Sequence, residues 1–466
     1  MEYRVETDSL GDVRVPKNAL YGAQTQRAIN NYPISGRPLQ PALITAYLRI
    51  KQAAARANAE CKALRPEQGK AIEKAVEQLF SKTYRNRWQE IFPVDPFQAG
   101  AGTSTNMNFN EVIATLANQN LGSNAKADLK IHPNDHVNRS QSTNDTYPTA
   151  MRLALLDVSR ELVESAEKLA QSFQNKTDQW KDIPKSGRTH LQDAVPISLG
   201  QEFSGYAATL KRCQGWLSES RDHLRELGIG GSAVGTGITT PARYRSLMIT
   251  ELSKVTGEKL RSASNLFEVM QSQAAISYYF GAVKILALEL TRISNDLRLM
   301  ASGPATGLNE IFLPAVQPGS SIMPGKVNPS ILEMLNQTCF YVLGLEQTAT
   351  FSTQAGQLEL NVMMPILCHS TIEGTSLISR AITVLRTKCL DGIKPNRAKL
   401  KKYFESSSQI ATALSPRLGY QQTAELVKEA VTKDISVVDL VRQKKLIPET
   451  ELRKLLDLDT LIGKNR

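Results

Sequence analysis

The sequence predicts an all-α protein in which a central bundle of five long helices lies between smaller N- and C-terminal domains. Two observations carry this. Long stretches contain no proline, and within them apolar residues recur three, four or seven positions apart, the repeat that places side chains on one face of a helix. The chain has 466 residues with 41% hydrophobic content, enough to bury a large core, and its 22% charged residues match an ordinary globular composition.

Residues 1–140 read as a mixed, mostly helical domain with one helix over roughly 40–80. Residues 149–183 hold neither Pro nor Gly and carry a stripe of Leu155, Val158, Leu162, Leu169, Phe173 and Trp180. A second helix is expected after Asp193, with Pro196 in its first turn and Gly228 beyond its end. The segment 242–303 lacks Pro, and its later part repeats Ile276, Phe280, Val283, Ala287, Leu290 and Leu297 at helical spacing. Residues 328–352 and 363–390 read as two more long helices. Such helices must bury their stripes against one another, which a bundle does. Gly392, Pro395 and Asn396 then break the pattern, so the expected domains are 1–140, 141–394 and 395–466, the last built of short helices.

The net charge of +11 comes from Lys and Arg spread along the chain, with no long basic run and no nucleic-acid module. It reads as attraction of a small anion into a positively lined cleft, with no nucleic acid as partner. Five scattered cysteines without a CxxC pair suit reduced thiols. The charged N-terminus has no apolar signal core, and no run approaches the ~18 consecutive apolar residues of a membrane span, so a cytoplasmic protein without a membrane partner is expected.

Four segments, 99–110, 132–145, 186–193 and 318–329, are dense in Gly, Ser, Thr, Asn and His and read as irregular loops. They offer Thr103, Ser104, Asn106 and Asn108; Ser142, Thr143, Asn144 and Asp145; Arg188, Thr189 and His190; and, in PGSSIMPGKVNP, adjacent hydroxyls with Lys326 and Asn328. A carboxylate accepts about four hydrogen bonds, so such donors suit a carboxylate at each end of a dicarboxylic acid. The glycine-rich GIGGSAVGTG (228–237) matches no phosphate-binding pattern and reads as a tight connection. Asp145 and Arg188 read as braces of their loops; His136, His223 and His369 have no partner motif and read as structural. No group of residues has metal-ligand spacing, and neither a metal nor a cofactor is expected.

GSSIMPGKVNP resembles the signature of the fumarase/aspartase superfamily, and the resemblance runs from DSLGDVRVP and YGAQTQRA to GIKPN near residue 396. It implies a homotetramer whose central helices form a twenty-helix core, with each active site shared among three subunits. The substrate would be a small C4 dicarboxylate. In this resemblance Ser320 is the base that takes a proton from the carbon beside a carboxylate, giving an aci-carboxylate. Thr103, Ser142, Thr143 and Ser321 match the donors around that carboxylate, and Thr189, Lys326 and Asn328 the contacts to the other. His190 matches a histidine that contacts substrate, Glu333 the carboxylate that orients it, and Asn144 falls at the leaving group. His132 and Asn134 match a secondary anion site that is not catalytic. A serine is a weak base at its ordinary pKa, so Lys326 and the N–H groups of its loop must lower it.

The leaving group divides the family, and the sequence carries features of both branches. VDPFQAGAGTSTNMN, HPNDHVNRSQSTND, AGQLELNV and the long stretch 121–131 are similar to aspartases; DVRVPKNALYGAQTQRA, SGRTHLQDAVP and ESSSQIATAL are similar to fumarases. Ala305 and Met364 depart from residues usual in the family. Because the aspartase-like pieces fall in the loops expected to touch substrate, the reaction expected is elimination of ammonia from L-aspartate to give fumarate. The alternative is interconversion of L-malate and fumarate, and a non-enzymatic helical scaffold would have no use for the four polar loops.

Overall fold

The computed structural model describes residues 2–122 and 126–463; residues 123–125 of the aspartase-like stretch 121–131 lie outside the described residues. The protein is mostly helical, and among the described residues its strands form only two-stranded sheets. Five helices stand out by length: Thr143–Trp180, Leu199–Asp222, Ala274–Met300, Ser330–Gln354 and Met364–Lys388. These are the helices of the bundle. The chain forms two compact units, the first made of residues up to Val163 with Gly215–Ala287 and Phe340–Ser379, the second of Glu164–Gln214, Leu288–Cys339 and Arg380 onward. This division differs from three consecutive segments because every long helix gives residues to both units.

In the first unit an antiparallel hairpin pairs Tyr3–Asp8 with Gly11–Pro16. The single helix expected over 40–80 is two, Pro41–Glu60 and Pro66–Leu79. Lys62 takes a left-handed conformation between them, and Pro66 opens the second helix where its missing N–H costs nothing. Stacked rings join the segments: Tyr47 to Phe109 at 4.7 Å, Phe109 to Phe92 at 4.2 Å, and Tyr47 edge-on to Tyr147 at 5.9 Å. Residues 103–110 prove helical, not a loop, within Thr103–Leu121. The helix expected from 149 begins at Thr143 and absorbs Pro148, giving up the one bond that Pro cannot donate. The segment 242–303 is interrupted: Tyr244–Thr256 is closed by Gly257 at φ +71°, and Glu258 beyond it accepts from Arg160, Arg221 and Arg225. Only after this knot does Ala274–Met300 begin.

In the second unit the helix expected from Asp193 starts at Leu199. Pro196 lies in a strand: Pro184–Thr189 pairs antiparallel with Gln192–Ser198, and the register shifts between Ser186 and Arg188, where Gly187 leaves the ladder irregular. The real start signal is a capping box, in which the Gln201 N–H donates to Ser198 Oγ at 3.0 Å and Gln201 Oε1 accepts from the Ser198 N–H at 2.9 Å. Phe173, Trp180, Phe203 and Tyr206 form an aromatic core, with Trp180 and Phe203 at 4.7 Å. The short C-terminal helices pack around Leu414, Leu426, Val437, Leu440, Val441 and Leu452. Among the described residues Ala274–Met300 is the helix long and apolar enough to cross a membrane by composition. It buries Ile276, Phe280, Val283, Leu290 and Leu297 completely or nearly so, and carries Lys284, Glu289, Arg292 and Asp296, the pattern of a core helix. All five cysteines are free thiols.

Candidate active site

The candidate residues fall into two groups, one in each unit. In the first unit Thr103 begins its helix just after Gly102, whose φ is +85° and whose Cβ would sit 2.0 Å from the Tyr147 ring, so only glycine fits. Of the four polar residues offered by this segment, Thr103 alone is exposed. Ser104, Asn106 and Asn108 are buried, and Asn108 Nδ2 donates to the Ile91 carbonyl. Ser142, Thr143 and Asn144 are half-buried at the head of the Thr143–Trp180 helix. Asn144 donates through Nδ2 to the Ala233 carbonyl at 2.8 Å. That fixes the orientation of the amide and leaves Oδ1, an acceptor, for a ligand.

Asp145 braces this turn. Its carboxylate accepts from the Ser142 N–H at 3.0 Å and from the N–H groups of Gly230 and Ser232 at 3.1 and 2.9 Å. The glycine-rich 228–237 therefore wraps a buried carboxylate. Burial pushes the Asp145 pKa up from 3.8 to about 7, against the pull of those three donors and of Lys51. Lys51 itself went unnoticed in the sequence. It is completely buried and donates to Asn106 Oδ1 at 2.8 Å, Gln141 Oε1 at 3.0 Å and Asn138 Oδ1 at 3.2 Å. Desolvation lowers its pKa to about 7. The available signal was a lysine on the apolar stripe Leu43, Tyr47, Ile50, Ala54, where a charge has no reason to sit unless it has partners.

In the second unit residues 318–329 form a loop pinched at its neck. The Gly319 N–H donates to the Lys326 carbonyl at 2.8 Å, and Asn328 Nδ2 donates to the Gly319 carbonyl at 2.7 Å. A Cβ on Gly319 would lie 2.5 Å from the Lys326 carbonyl oxygen, so the neck requires glycine. Ser320 is half-buried, and its Oγ accepts from the N–H groups of Met323 at 3.0 Å and Ile322 at 3.2 Å. Two donors on one hydroxyl oxygen favour its deprotonated form. Ser321 and Lys326 are exposed, and among the described residues the Lys326 ammonium has no hydrogen-bond partner.

Thr189 and His190 are exposed at the end of the Pro184–Thr189 hairpin. Its two-residue turn, His190–Leu191, has φ of 56° and 59°, a turn that normally uses Asn and Gly. Holding two such side chains there stores strain of order 1–3 kcal/mol each. Below the turn Arg188 reaches Glu310 at 2.7 Å and Lys185 reaches the same buried carboxylate at 2.9 Å, so Arg188 is a brace. Glu333 lies in the first turn of Ser330–Gln354, and among the described residues no hydrogen bond joins it to His190. His132 and Asn134 border a cavity of about 420 Å³ whose wall also carries Glu6, Asp8 and Glu111. His132 Nδ1 there lies 3.1 Å from the Asp135 carboxylate, so Nε2 is the ring nitrogen that could meet an anion. Met364 is fully buried, which makes it a core residue.

The bundle and its polar loops describe a helical enzyme. Comparison with known proteins makes this specific. A family described as lyase matches residues 11–344, and one described as the fumarase C C-terminus matches 410–463. An aspartate ammonia-lyase of Bacillus sp is 43% identical over 456 residues, covering 98% of this chain and 97% of that protein. A class II fumarate hydratase of Corynebacterium glutamicum is 42% identical over 465 residues, covering 98% and 96%. Among solved structures, a fumarate lyase:delta crystallin of Brucella melitensis superposes with a TM-score of 0.93 at 42% identity, over 99% of this chain and 100% of that one. A class II fumarase of Schistosoma mansoni superposes at 0.94 with 32% identity, over 100% of each. The chain belongs to the fumarase/aspartase superfamily and is a lyase.

Proposed function

We propose that this lyase eliminates ammonia from L-aspartate to give fumarate. Ser320 takes the proton from the carbon beside one carboxylate. The electron pair spreads into that carboxylate as an aci-carboxylate, held by Thr103, Ser142, Thr143 and Ser321, and donors placed where charge develops lower the barrier. The pair then returns to form the double bond as the C–N bond breaks and ammonia leaves past Asn144. Thr189, Lys326 and Asn328 hold the far carboxylate, and His190, oriented by Glu333, contacts the substrate. The two N–H groups on Ser320 Oγ support the serine as base.

One observation favours ammonia over water. The bond from Asn144 Nδ2 to the Ala233 carbonyl fixes which way the amide faces and leaves Oδ1 as an acceptor, and an ammonium, which has donors alone, needs one. The test is kcat/KM for L-aspartate and L-malate by fumarate absorbance, with ammonia release as a second readout. Aspartate should be the better substrate. A clear preference for malate, with no ammonia from aspartate, would make the protein a fumarate hydratase, the reading that the relatives of that name support equally in identity.

The same reading makes the enzyme a cytoplasmic homotetramer with active sites shared among subunits. Support comes from the absence of a His190–Glu333 contact within one chain and from exposed Ile322, Met323 and Val327 on the Ser320 loop, apolar groups that a neighbouring chain would cover. Ser320→Ala and Thr143→Val chains, each impaired alone, should regain activity above either when reassembled together. Mixed assemblies that form and stay inactive would rule out sharing, as would a stable, fully active monomer in sedimentation.

A further inference from the structure

Three amide side chains around Lys51 have no freedom to flip. A lysine ammonium can only donate, so the oxygens of Asn106, Asn138 and Gln141 must all face it. Two of the three orientations are fixed a second time: Asn138 Nδ2 donates to the Gln141 carbonyl at 3.2 Å, and Gln141 Nε2 to the carbonyls of Val137 and Arg139 at 3.0 and 3.1 Å. Backbone carbonyls accept only, so these assignments agree with the one that Lys51 imposes. With its oxygen turned to Lys51, Asn106 must aim Nδ2 the other way, and that nitrogen lies 3.1 Å from Thr143 Oγ1 and 3.1 Å from Asn138 Oδ1. Thr143 Oγ1 is therefore an acceptor on its buried side. Its own proton is left for whatever lies on the open side, where Thr143 is half-exposed.

We propose that Lys51 and Asn106 are positioning residues that set the direction of the Thr143 hydroxyl, holding it as a donor toward the substrate carboxylate. This rests on the assignment of Thr143 to that carboxylate. The chain Lys51→Asn106→Thr143 is a relay of hydrogen-bond direction, with no proton moved. Its use is that a hydroxyl can both donate and accept, and an unconstrained one spends part of its time pointing its oxygen at the carboxylate, which repels it. A buried cation with no carboxylate bonded to it costs desolvation, which the three amide oxygens offset at close range. Asp145 is close enough to favour the charged form electrostatically yet makes no hydrogen bond to Lys51; its oxygens accept from backbone N–H groups.

The decisive variant is Asn106→Asp. The new carboxylate pairs with Lys51, so the protein should fold with an unfolding midpoint at or above that of the parent. Both of its oxygens accept, so the Thr143 hydroxyl must turn inward and donate to it. kcat/KM should then fall about 10–100-fold, the value of a hydrogen bond to a charged group, to the level of Thr143→Val. The double variant Asn106→Asp/Thr143→Val should lose nothing further, because the hydroxyl acted on is already gone. Lys51→Met removes the donor instead and should show the same loss and the same non-additivity, which keeps the test available if one variant folds poorly. Full-length enzyme is assayed with both L-aspartate and L-malate. A folded Asn106→Asp enzyme with near-parental kcat/KM, or a double variant whose losses simply add, overturns the proposal while Thr143→Val remains impaired. An unimpaired Thr143→Val overturns this proposal together with the assignment of Thr143.

Discussion

Around Thr143 the polar groups hold one another: Lys51, Asn106, Asn138 and Gln141 meet in a buried network, and Asp145 is wrapped by three N–H groups. In the loop 318–329 the bonds are at the neck, at Ser320 and from the Lys326 N–H to the Met323 carbonyl, while the side chains of Ser321, Lys326 and the apolar Ile322 stand in solvent, Ile322 at 83% exposure. Both regions are polar loops in the sequence, yet one has its donors aimed in advance and the other has them still to be ordered. Donors fixed before binding cost no further side-chain entropy, whereas each long side chain immobilised on binding costs roughly 0.5–1.5 kcal/mol. The difference suggests a division of labour. In the proposed mechanism the Thr143 end would be the rigid receptor for the carboxylate that takes up charge, and the Ser320 loop would meet the substrate with a prepared oxygen on an otherwise open frame.

Substitutions can break this contrast. Lys326→Ala should have a large effect on activity, lowering kcat/KM by about 10²–10³-fold through both KM and kcat, the scale of removing one partner from a close charge pair. Because Lys326 is exposed and without a partner among the described residues, the unfolding midpoint should stay put. A large drop in midpoint would mean that the loop is braced after all.

Asp145→Asn should do the reverse, costing stability of about 1–3 kcal/mol by weakening three buried hydrogen bonds. It should also change the pH profile. Burial raises the Asp145 pKa from 3.8 to about 7 in the folded protein, so the native state binds the proton more tightly than the unfolded chain does. Its contribution to stability is full below about pH 3.8 and is lost as pH rises through about 7. Urea unfolding across this window should show that loss in the parent, and Asp145→Asn should lack that component of the slope.

Asn144→Ala should cost less in folding than Asp145→Asn, about 0.5–1.5 kcal/mol for the bond to the Ala233 carbonyl. Its effect on turnover sharpens the leaving-group assignment: kcat for aspartate should fall more than kcat for malate. Equal losses would remove Asn144 from that role.

How much of this was legible from sequence depended on which signal each residue carried. The five long helices announce themselves through uninterrupted apolar periodicity, and the 318–329 loop through a motif. The hairpin of 184–198 was hidden because Pro196 imitates a helix start; the Ser198–Gln201 capping box, beginning two residues on, was the better signal. The breaks at Lys62 and Gly257 are hard to see in sequence because apolar residues at helical spacing lie on both sides of each. The Lys51 network was least legible, since its four members come from three separate segments and only folding shows that their oxygens converge. Ser320 was picked out by motif, whereas the two N–H groups on its oxygen could be known only from the folded loop.

The most direct test of the central claim is Ser320→Ala, assayed for kcat by fumarate formation and for binding by calorimetric titration with fumarate. A base acts in the transition state, so kcat should fall by about 10²–10⁴-fold while affinity for fumarate changes little. A variant that keeps near-parental kcat would contradict the account, show that the proton is taken by another group, and make His190 the first residue to examine.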